Sequence, residues 1–235
     1  MTSEKNGRLQ QVIGILGGTF DPPHWGHLEL AKYFCAQFNL DELILIPSGQ
    51  PWQKSTQITP AAIRLQLAEA AALTLRAELA TQHLKTVITV DPMEIERGGP
   101  SYTIDTVQAL RHVLGSEVSI IWLMGADSLM QLPTWHDWQG LLHYVHLAVA
   151  SRPGHPYALE QNPALAEFVK AHEAHSTPEL EKLPKGKILL DHQFAVDLSS
   201  SALRQQSTEP DLSSGLPKNI SDLIRQLGLY QSNVQ

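Results

Sequence analysis

Cysteine is nearly absent from this sequence, because Cys35 is the only one among 235 residues. A lone thiol cannot form a disulfide within the chain, which excludes a small disulfide-stapled scaffold. Cys35 falls on the apolar spacing of a helix predicted near residues 28–38. We therefore expect a packed thiol rather than a nucleophile.

Long hydrophobic runs are absent as well. No apolar stretch has the length needed to cross a bilayer, and residues 1–11 lack the hydrophobic centre of a signal peptide. We therefore expect a cytoplasmic protein with no membrane partner. Residues 1–11 are predicted to be a flexible extension, and residues 12–235 a single domain long enough to bury a sizeable core.

A surplus of basic residues is also missing. The chain has 17 Lys and Arg against 24 Asp and Glu, a formal net charge of −7. A protein that coats nucleic acid needs a broad basic face, so we expect no nucleic-acid partner. A polyanionic ligand would have to be bound by a few focused groups, such as helix N-termini and single lysines or arginines.

The chain does contain a strand, a tight loop and a helix start in direct succession. Residues 12–16 form a short apolar run, and residues 17–27 read GGTFDPPHWGH. Glycine has no Cβ, so main-chain N–H groups can approach a ligand closely. The two prolines favour a helix that begins near His24. The predicted lining of this phosphate site is Gly17, Gly18, Thr19 and Phe20.

His24 and His27 lie on neighbouring positions of one helix face, at the positive end of the helix dipole. There they could donate hydrogen bonds to phosphate oxygens and stabilise charge that develops during transfer. The glycine spacing does not match the Gly-x-Gly-x-x-Gly dinucleotide fingerprint, and a zinc site would lack a third ligand nearby. The remaining alternative is two exposed histidines in a turn.

Six predicted strands alternate with helices, at residues 12–16, 43–46, 86–90, 118–124, 146–150 and 187–190. This alternation is typical of an α/β fold with a parallel sheet whose ligand crevice lies at the carboxyl ends of the strands. Further helices are predicted at residues 60–81, from Ser101 and at residues 217–227. The proline-rich residues 157–185 are predicted to be a helical excursion, in which His172 to His175 occupy a solvated helix face rather than a metal site.

Polar residues follow the carboxyl ends of the second and third strands. Lys54 and Arg64 are each either a solvated surface charge or an anion contact. Ser101 is predicted to be a helix N-cap, with Tyr102 and Thr103 in the first turn. The N–H groups of that turn are either capped by Ser101 or bind a carboxylate or phosphate.

Later strand ends carry further candidates. Asp127, after Gly125, could bind a ribose hydroxyl or cap a helix. Of Trp135 and Trp138, one is expected to pack in the core, and the other could stack on a flat heterocycle. The cluster Ser199, Ser200 and Arg204 is either a second anion site or ordinary capping beside a surface arginine.

Taken together, these motifs resemble those of the bacterial nicotinate-nucleotide adenylyltransferases, in the nucleotidyltransferase α/β phosphodiesterase superfamily. HWGH at 24–27 matches the His-x-Gly-His hallmark, and LSSSALR at 198–204 is similar to Ile-Ser-Ser-Thr-x-Ile-Arg. The narrower resemblance rests on PSYT at 100–103, GADSL at 125–129, LPTW at 132–135 and SRPG at 151–154. Where the family often has Pro-Pro-His-Lys, this chain has PWQK at 51–54.

The resemblance implies a Rossmann-like doubly wound parallel sheet of nucleotidyltransferase type. It also implies transfer of AMP from ATP to nicotinate mononucleotide in NAD biosynthesis, with Mg²⁺ on the phosphates and no covalent enzyme intermediate. Within the class, an adenylyltransferase for nicotinamide mononucleotide or phosphopantetheine is the nearest alternative. Outside it, the alternative is a nucleotide sensor without turnover. The sequence indicates neither an oligomeric state nor a protein ligand of the metal.

The resemblance further implies roles for individual residues. His24 and His27 would hold the ATP phosphates, and Ser200 and Arg204 would bind the β- and γ-phosphates. The acceptor would be held by Asp127 on ribose, by the Tyr102 and Thr103 helix start on the nicotinate carboxylate, and by Trp135 stacked on the pyridine. The other residues assigned to ATP are Gly17, Gly18, Thr19, Phe20, Gly125 and Ser199, together with Asp127, which is assigned to both substrates. Further candidates are Lys54, Arg64 and Arg152.

Overall fold

The computed structural model describes residues 10–51, 58–151, 157–194 and 215–230. The strands are β1 (Val12–Gly18), β2 (Glu42–Pro47), β3 (Val87–Val90), β4 (Ser119–Gly125), β5 (His146–Ala150), β6 (Glu173–Ala174) and β7 (Ile188–Asp191). The helices are α1 (Trp25–Gln37), α2 (Ala61–Thr81), α3 (Met93–Arg97), α4 (Thr103–Leu114), α5 (Ala126–Gln131), α6 (Pro163–His172), α7 (Thr177–Lys182) and α8 (Lys218–Gln226). Short 3-10 helices cover Leu132–Thr134, Trp138–His143 and Leu159–Gln161.

The strands form one seven-stranded sheet in the order β3-β2-β1-β4-β5-β7-β6, and every pairing is parallel. The predicted α/β doubly wound architecture is therefore confirmed. β1 lies beside β2 on one side and beside β4 on the other. The strand order reverses between β1 and β4, and in such sheets ligands bind at this switch point, outside the carboxyl ends of the strands.

Both faces of the sheet are buried, which is why its strands are continuous apolar runs. Successive side chains of β1 and β2 point to opposite faces. Leu43 and Leu45 belong to the core on the side of α1, α2 and α8. Ile44 and Ile46 belong to the core on the side of α4.

Two short elements were not predicted, and one predicted helix face is wrong. Residues 93–97 form α3, which Pro92 begins and in which Asp91 Oδ1 accepts the N–H of Met93. The edge strand β6 was not predicted, because a two-residue strand is too short to show a period. Glu173 and Ala174 pair with Ile188 and Leu189 of β7, so the predicted helix face over His172 to His175 ends at His172.

Cys35 is buried on α1, and burial raises the pKa of its thiol to about 12. The prediction of a packed, unreactive thiol is confirmed. In the described part of the chain, no helix combines the length and apolar composition needed to cross a membrane.

His146, the first residue of β5, is fully buried between two backbone groups. Its Nδ1 accepts the N–H of Lys187 at 3.0 Å, and its Nε2 lies 2.8 Å from the carbonyl oxygen of Leu183. The ring is therefore neutral, with its proton on Nε2, because protonated Nδ1 could not accept. Burial lowers the pKa of His146 to about 4.

This buried histidine should make the protein less stable in mild acid. Its folded-state pKa of about 4 lies below the unfolded value, so the unfolded chain takes up the extra proton first. The stabilisation is complete above about pH 6.5 and falls by about 3 kcal/mol as the pH drops to 4. Urea unfolding at pH 7 and pH 4.5 measures the loss. His146→Gln should show a smaller loss, and exposed His112→Gln the wild-type loss. Equal pH dependence in all three proteins would contradict this prediction.

Candidate active site

The glycine loop lies at the carboxyl end of β1, beside β4 at the switch point. A Cβ on Gly17 would lie 2.5 Å from the ring of Trp122 on β4, so glycine leaves the space that this ring occupies. Phe20 is buried with a left-handed φ of 50°, and its ring contacts that of His27 edge-on at 5.4 Å. Any ligand contact from Phe20 therefore comes from its backbone.

The two histidines of this loop pack against each other. His24 is the N-cap of α1, as the prolines predict, and the ring centroids of His24 and His27 are 3.8 Å apart. Nδ1 of His27 accepts the N–H of His24 at 3.3 Å, which puts the ring proton on Nε2. His24 is buried and His27 half-buried, so the alternative of two exposed histidines in a turn is wrong.

The main-chain donors of this helix start are partly used within the protein. The N–H of Trp25 donates to the carbonyl of Gly215 at 3.1 Å, and that of His27 to the carbonyl of His24 at 2.9 Å. Because Nδ1 of His27 accepts the N–H of His24, the ring proton of His27 on Nε2 is a further donor at this end of α1.

The end of the described chain also contacts this loop. The hydroxyl of Tyr230 donates to Oδ1 of Asp21, and the N–H of Thr59 donates to Oδ2 of the same carboxylate at 3.1 Å. Together with the Gly215 bond, these contacts hold residues 21–25 between the start of α2 and the segment that carries α8. Sequence reasoning missed them because they join residues far apart in the chain.

Arg64 differs most from its prediction. It is only 1% exposed, so it is neither a solvated surface charge nor a group that can reach a ligand. Its guanidinium donates to the backbone carbonyls of Thr19, Ser48, Gly49 and Thr59. Periodicity could have revealed this burial, because Arg64 lies on the same helix stripe as Leu67, Ala68 and Ala71, all of which are buried.

Ser101 is not the N-cap of α4. That position belongs to Tyr102, and α4 begins at Thr103. The hydroxyl oxygen of Ser101 instead accepts the N–H groups of Gly49 at 2.8 Å and Gln50 at 3.1 Å. The Tyr102 side chain makes no capping hydrogen bond to α4 in the described structure. Capping of this helix start by Ser101 is therefore wrong, and binding of an external carboxylate or phosphate there stays a prediction.

The aromatic segment at residues 132–138, which follows α5, lies against this helix start. The ring of Tyr102 contacts that of His136 at 4.7 Å between centroids, which brings the two predicted acceptor elements together. Trp138 packs edge-on against Phe168 at 4.7 Å, so it is the tryptophan that serves the core. The Nε1 atom of Trp135 is buried and has no hydrogen-bond partner among the described residues.

Gly125 and Asp127 lie at the carboxyl end of β4. Gly125 is the N-cap of α5, so Asp127, in the first turn, is not the cap residue. A Cβ on Gly125 would meet no atom within 4 Å, and Asp127 is exposed. Both lie at the switch point, where the predicted ribose contact would be made.

Several predicted site residues lie outside the described residues: Lys54, Arg152, Ser199, Ser200 and Arg204. Their assignments stay predictions. Within the described ranges, no group of three or more His, Cys, Asp or Glu is placed to hold a metal ion.

Comparison with known proteins agrees with this geometry. The cytidylyltransferase-like family model matches residues 15–206. A Herminiimonas arsenicoxydans relative, named probable nicotinate-nucleotide adenylyltransferase, is 39% identical over 229 residues, which cover 95% of this chain and 99% of that protein. A relative of the same name from Aeromonas hydrophila subsp. hydrophila is 38% identical over 224 residues, with 95% and 99% covered.

One solved structure, the Plasmodium falciparum nicotinic acid mononucleotide adenylyltransferase complexed with NaAD, superposes with a TM-score of 0.66. The match covers 96% of this chain and 100% of that one, at 16% sequence identity, and supports the fold. With relatives 38–39% identical over nearly their whole length, this chain belongs to the nicotinate-nucleotide adenylyltransferase family.

Proposed function

We propose that this protein transfers AMP from ATP to nicotinate mononucleotide, forming nicotinate adenine dinucleotide and pyrophosphate in NAD biosynthesis. The observation that carries the proposal is the contact between the His24 and His27 rings beside Gly17 and Gly18, at the switch point of a parallel sheet. This arrangement offers hydrogen-bond donors to phosphate oxygens where such folds bind nucleotides. The names of the full-length relatives supply the acceptor.

In the proposed reaction, a phosphate oxygen of nicotinate mononucleotide attacks the α-phosphorus of ATP. The bond from that phosphorus to the oxygen bridging the α- and β-phosphates breaks in line with the attack, and pyrophosphate leaves with the electron pair. Because no covalent enzyme intermediate forms, the protein contributes positioning and charge stabilisation. The Nε2–H of His27 would donate to a phosphate oxygen, and the ring of His24 would hold that of His27 in place by contact with it.

The acceptor is proposed to bind between the start of α4 and residues 132–138. The start of α4, which no N-cap side chain satisfies in the described structure, would receive the nicotinate carboxylate at Tyr102 and Thr103. Trp135 would stack on the pyridine through the face of its indole ring. Asp127 would accept from ribose hydroxyls, and Ser199, Ser200 and Arg204 would bind the ATP phosphates.

We further propose that Mg²⁺ enters as a complex with ATP. The described residues offer no cluster of acidic or histidine ligands, whereas the phosphates of ATP are oxygen ligands of the kind that Mg²⁺ prefers. Mg²⁺ bound in this way would offset charge on the β- and γ-phosphates. The cytoplasmic location and the single-domain organisation of residues 12–235 stay predictions.

Pyrophosphate release from ATP and nicotinate mononucleotide tests the function. The purified protein should form pyrophosphate and dinucleotide in equal amounts, and much less product when phosphopantetheine replaces the mononucleotide. ATP alone is the blank. No product at high enzyme concentration, with ATP binding retained, would contradict the proposal and leave a nucleotide sensor.

A further inference from the structure

Arg64 lies beneath the phosphate loop and joins segments that follow two different strands. The carbonyl oxygens of Thr19, Ser48, Gly49 and Thr59 accept from its guanidinium, with 2.9 Å to Thr19 and 2.7 Å to Gly49. Thr19 directly follows β1, and Ser48 and Gly49 directly follow β2. We refer to Arg64 and these four carbonyls as the Arg64 clamp.

The clamp sets the orientation of peptide planes rather than of side chains. In a trans peptide the C=O and the following N–H point in opposite directions. The carbonyls of Ser48 and Gly49 point to Arg64, and the N–H groups of the same two peptides, on Gly49 and Gln50, point to Ser101. Two successive peptides are thus held from both sides, by a guanidinium and by a hydroxyl.

The same contacts connect the two halves of the site. On the nucleotide side, Arg64 holds Thr19, and the N–H of Ser48 donates to the carbonyl of Gly18 at 2.9 Å. On the acceptor side, Ser101 immediately precedes the α4 start, and its own N–H donates to the carbonyl of Gln50 at 3.0 Å. A continuous set of hydrogen bonds therefore runs from the phosphate loop through Arg64 and residues 48–50 to the start of α4.

We propose that Arg64 is a positioning residue, which sets the distance and orientation between the phosphate loop and the acceptor site without touching either substrate. The inference rests on the proposed function, because in-line attack requires ATP and the acceptor phosphate to be held in one geometry. Arginine suits this task because its planar fork presents five donors in fixed directions, whereas a lysine ammonium has three on a flexible stem.

Arg111 is a matched control for Arg64, because its replacement should affect stability without affecting the position of the substrates. Arg111 also donates to several backbone carbonyls, those of Tyr144, Gly115, Val118 and Pro184. Burial lowers the pKa of both guanidinium groups. Val118 immediately precedes β4, so Arg111 lies at the amino end of the sheet, opposite the crevice. It shares the chemistry of Arg64 without the connection to the site.

The test compares Arg64→Lys, Arg111→Lys and Ser101→Ala with the wild type. Each protein is assayed for kcat and KM by pyrophosphate release, for ATP affinity by calorimetry and for stability by urea unfolding. Arg64→Lys should lower kcat on the order of 10²-fold and weaken ATP binding roughly fivefold, because the loop shifts relative to the acceptor. Arg111→Lys should lower the unfolding midpoint and leave kcat within about twofold. Ser101→Ala should lower kcat roughly tenfold, because the N–H groups of Gly49 and Gln50 lose the hydroxyl oxygen that accepts from them.

The outcomes are distinguishable. If Arg64→Lys and Arg111→Lys lose equal fractions of kcat for equal losses of stability, Arg64 has only a structural role and the inference fails. If Arg64→Lys does not fold, Ser101→Ala decides, and an unchanged kcat in that variant overturns the inference. If the wild type releases no pyrophosphate, the proposed function fails, and the clamp is judged on whether ATP affinity falls more in Arg64→Lys than in Arg111→Lys.

Discussion

Replacing His27 by alanine should lower kcat on the order of 10²-fold or more, with a smaller change in the KM for nicotinate mononucleotide. Nε2 of His27 carries the ring proton because Nδ1 accepts the N–H of His24. A donor directed at phosphate oxygens is most effective where negative charge develops, which is during departure of pyrophosphate. Its loss should therefore reduce the rate of transfer more than it reduces binding.

Steady-state pyrophosphate release measures this effect, and two further variants interpret it. His27→Gln keeps an N–H donor on a side chain of similar reach and should recover part of the lost kcat. His112→Ala removes an exposed histidine of α4 and should leave kcat unchanged. A His27→Ala enzyme with kcat within about threefold of the wild type would make His27 a structural residue.

A second large effect is expected on the choice of acceptor. The protein should use nicotinate mononucleotide in preference to nicotinamide mononucleotide by on the order of 10²-fold or more in kcat/KM. The start of α4 has no N-cap side chain bound to it in the described structure, because Ser101 is bound to Gly49 and Gln50 instead. A carboxylate satisfies these N–H donors with its full charge, whereas a carboxamide can turn only its oxygen to them and brings no charge.

Side-by-side assays of the two mononucleotides with one enzyme preparation measure the preference. ATP affinity measured without acceptor checks that this preparation binds ATP. The preference should come from the acceptor and leave the KM for ATP similar with both. Equal turnover of acid and amide would contradict it. In that case the α4 start does not face the pyridine substituent.

The parts of the fold that could be predicted are those specified by local sequence. Val12–Gly18, Glu42–Pro47 and His146–Ala150 could be predicted because a strand buried on both faces is a short apolar run, bounded here by turn-forming residues such as glycine, serine and proline. The start of α1 was found because two prolines precede His24. The edge strand Glu173–Ala174 was missed because its backbone is ordered by β7, which lies beside it in the sheet and later in the chain.

In the candidate site, too, some contacts could be predicted from local sequence and others could not. Motif spacing placed His24 and His27 on one helix start, and the structure brings their rings into contact. Spacing could not assign Ser101, because a serine before a helix has the same local sequence whether it caps that helix or binds another loop. The partner is chosen by which backbone N–H groups the fold brings near, here those of Gly49 and Gln50.

By itself, the sequence determined the alternation of strands and helices, the phosphate loop between residues 17 and 27, and the class of ligand, because these depend on residues close together in the chain. Only the tertiary structure decided that Arg64 is buried under that loop, that Ser101 binds residues 49 and 50, and that Tyr102 meets His136. The physical reason is that these contacts join segments brought together by the order of strands in the sheet, and a buried charge or hydroxyl takes whichever backbone partners that packing supplies.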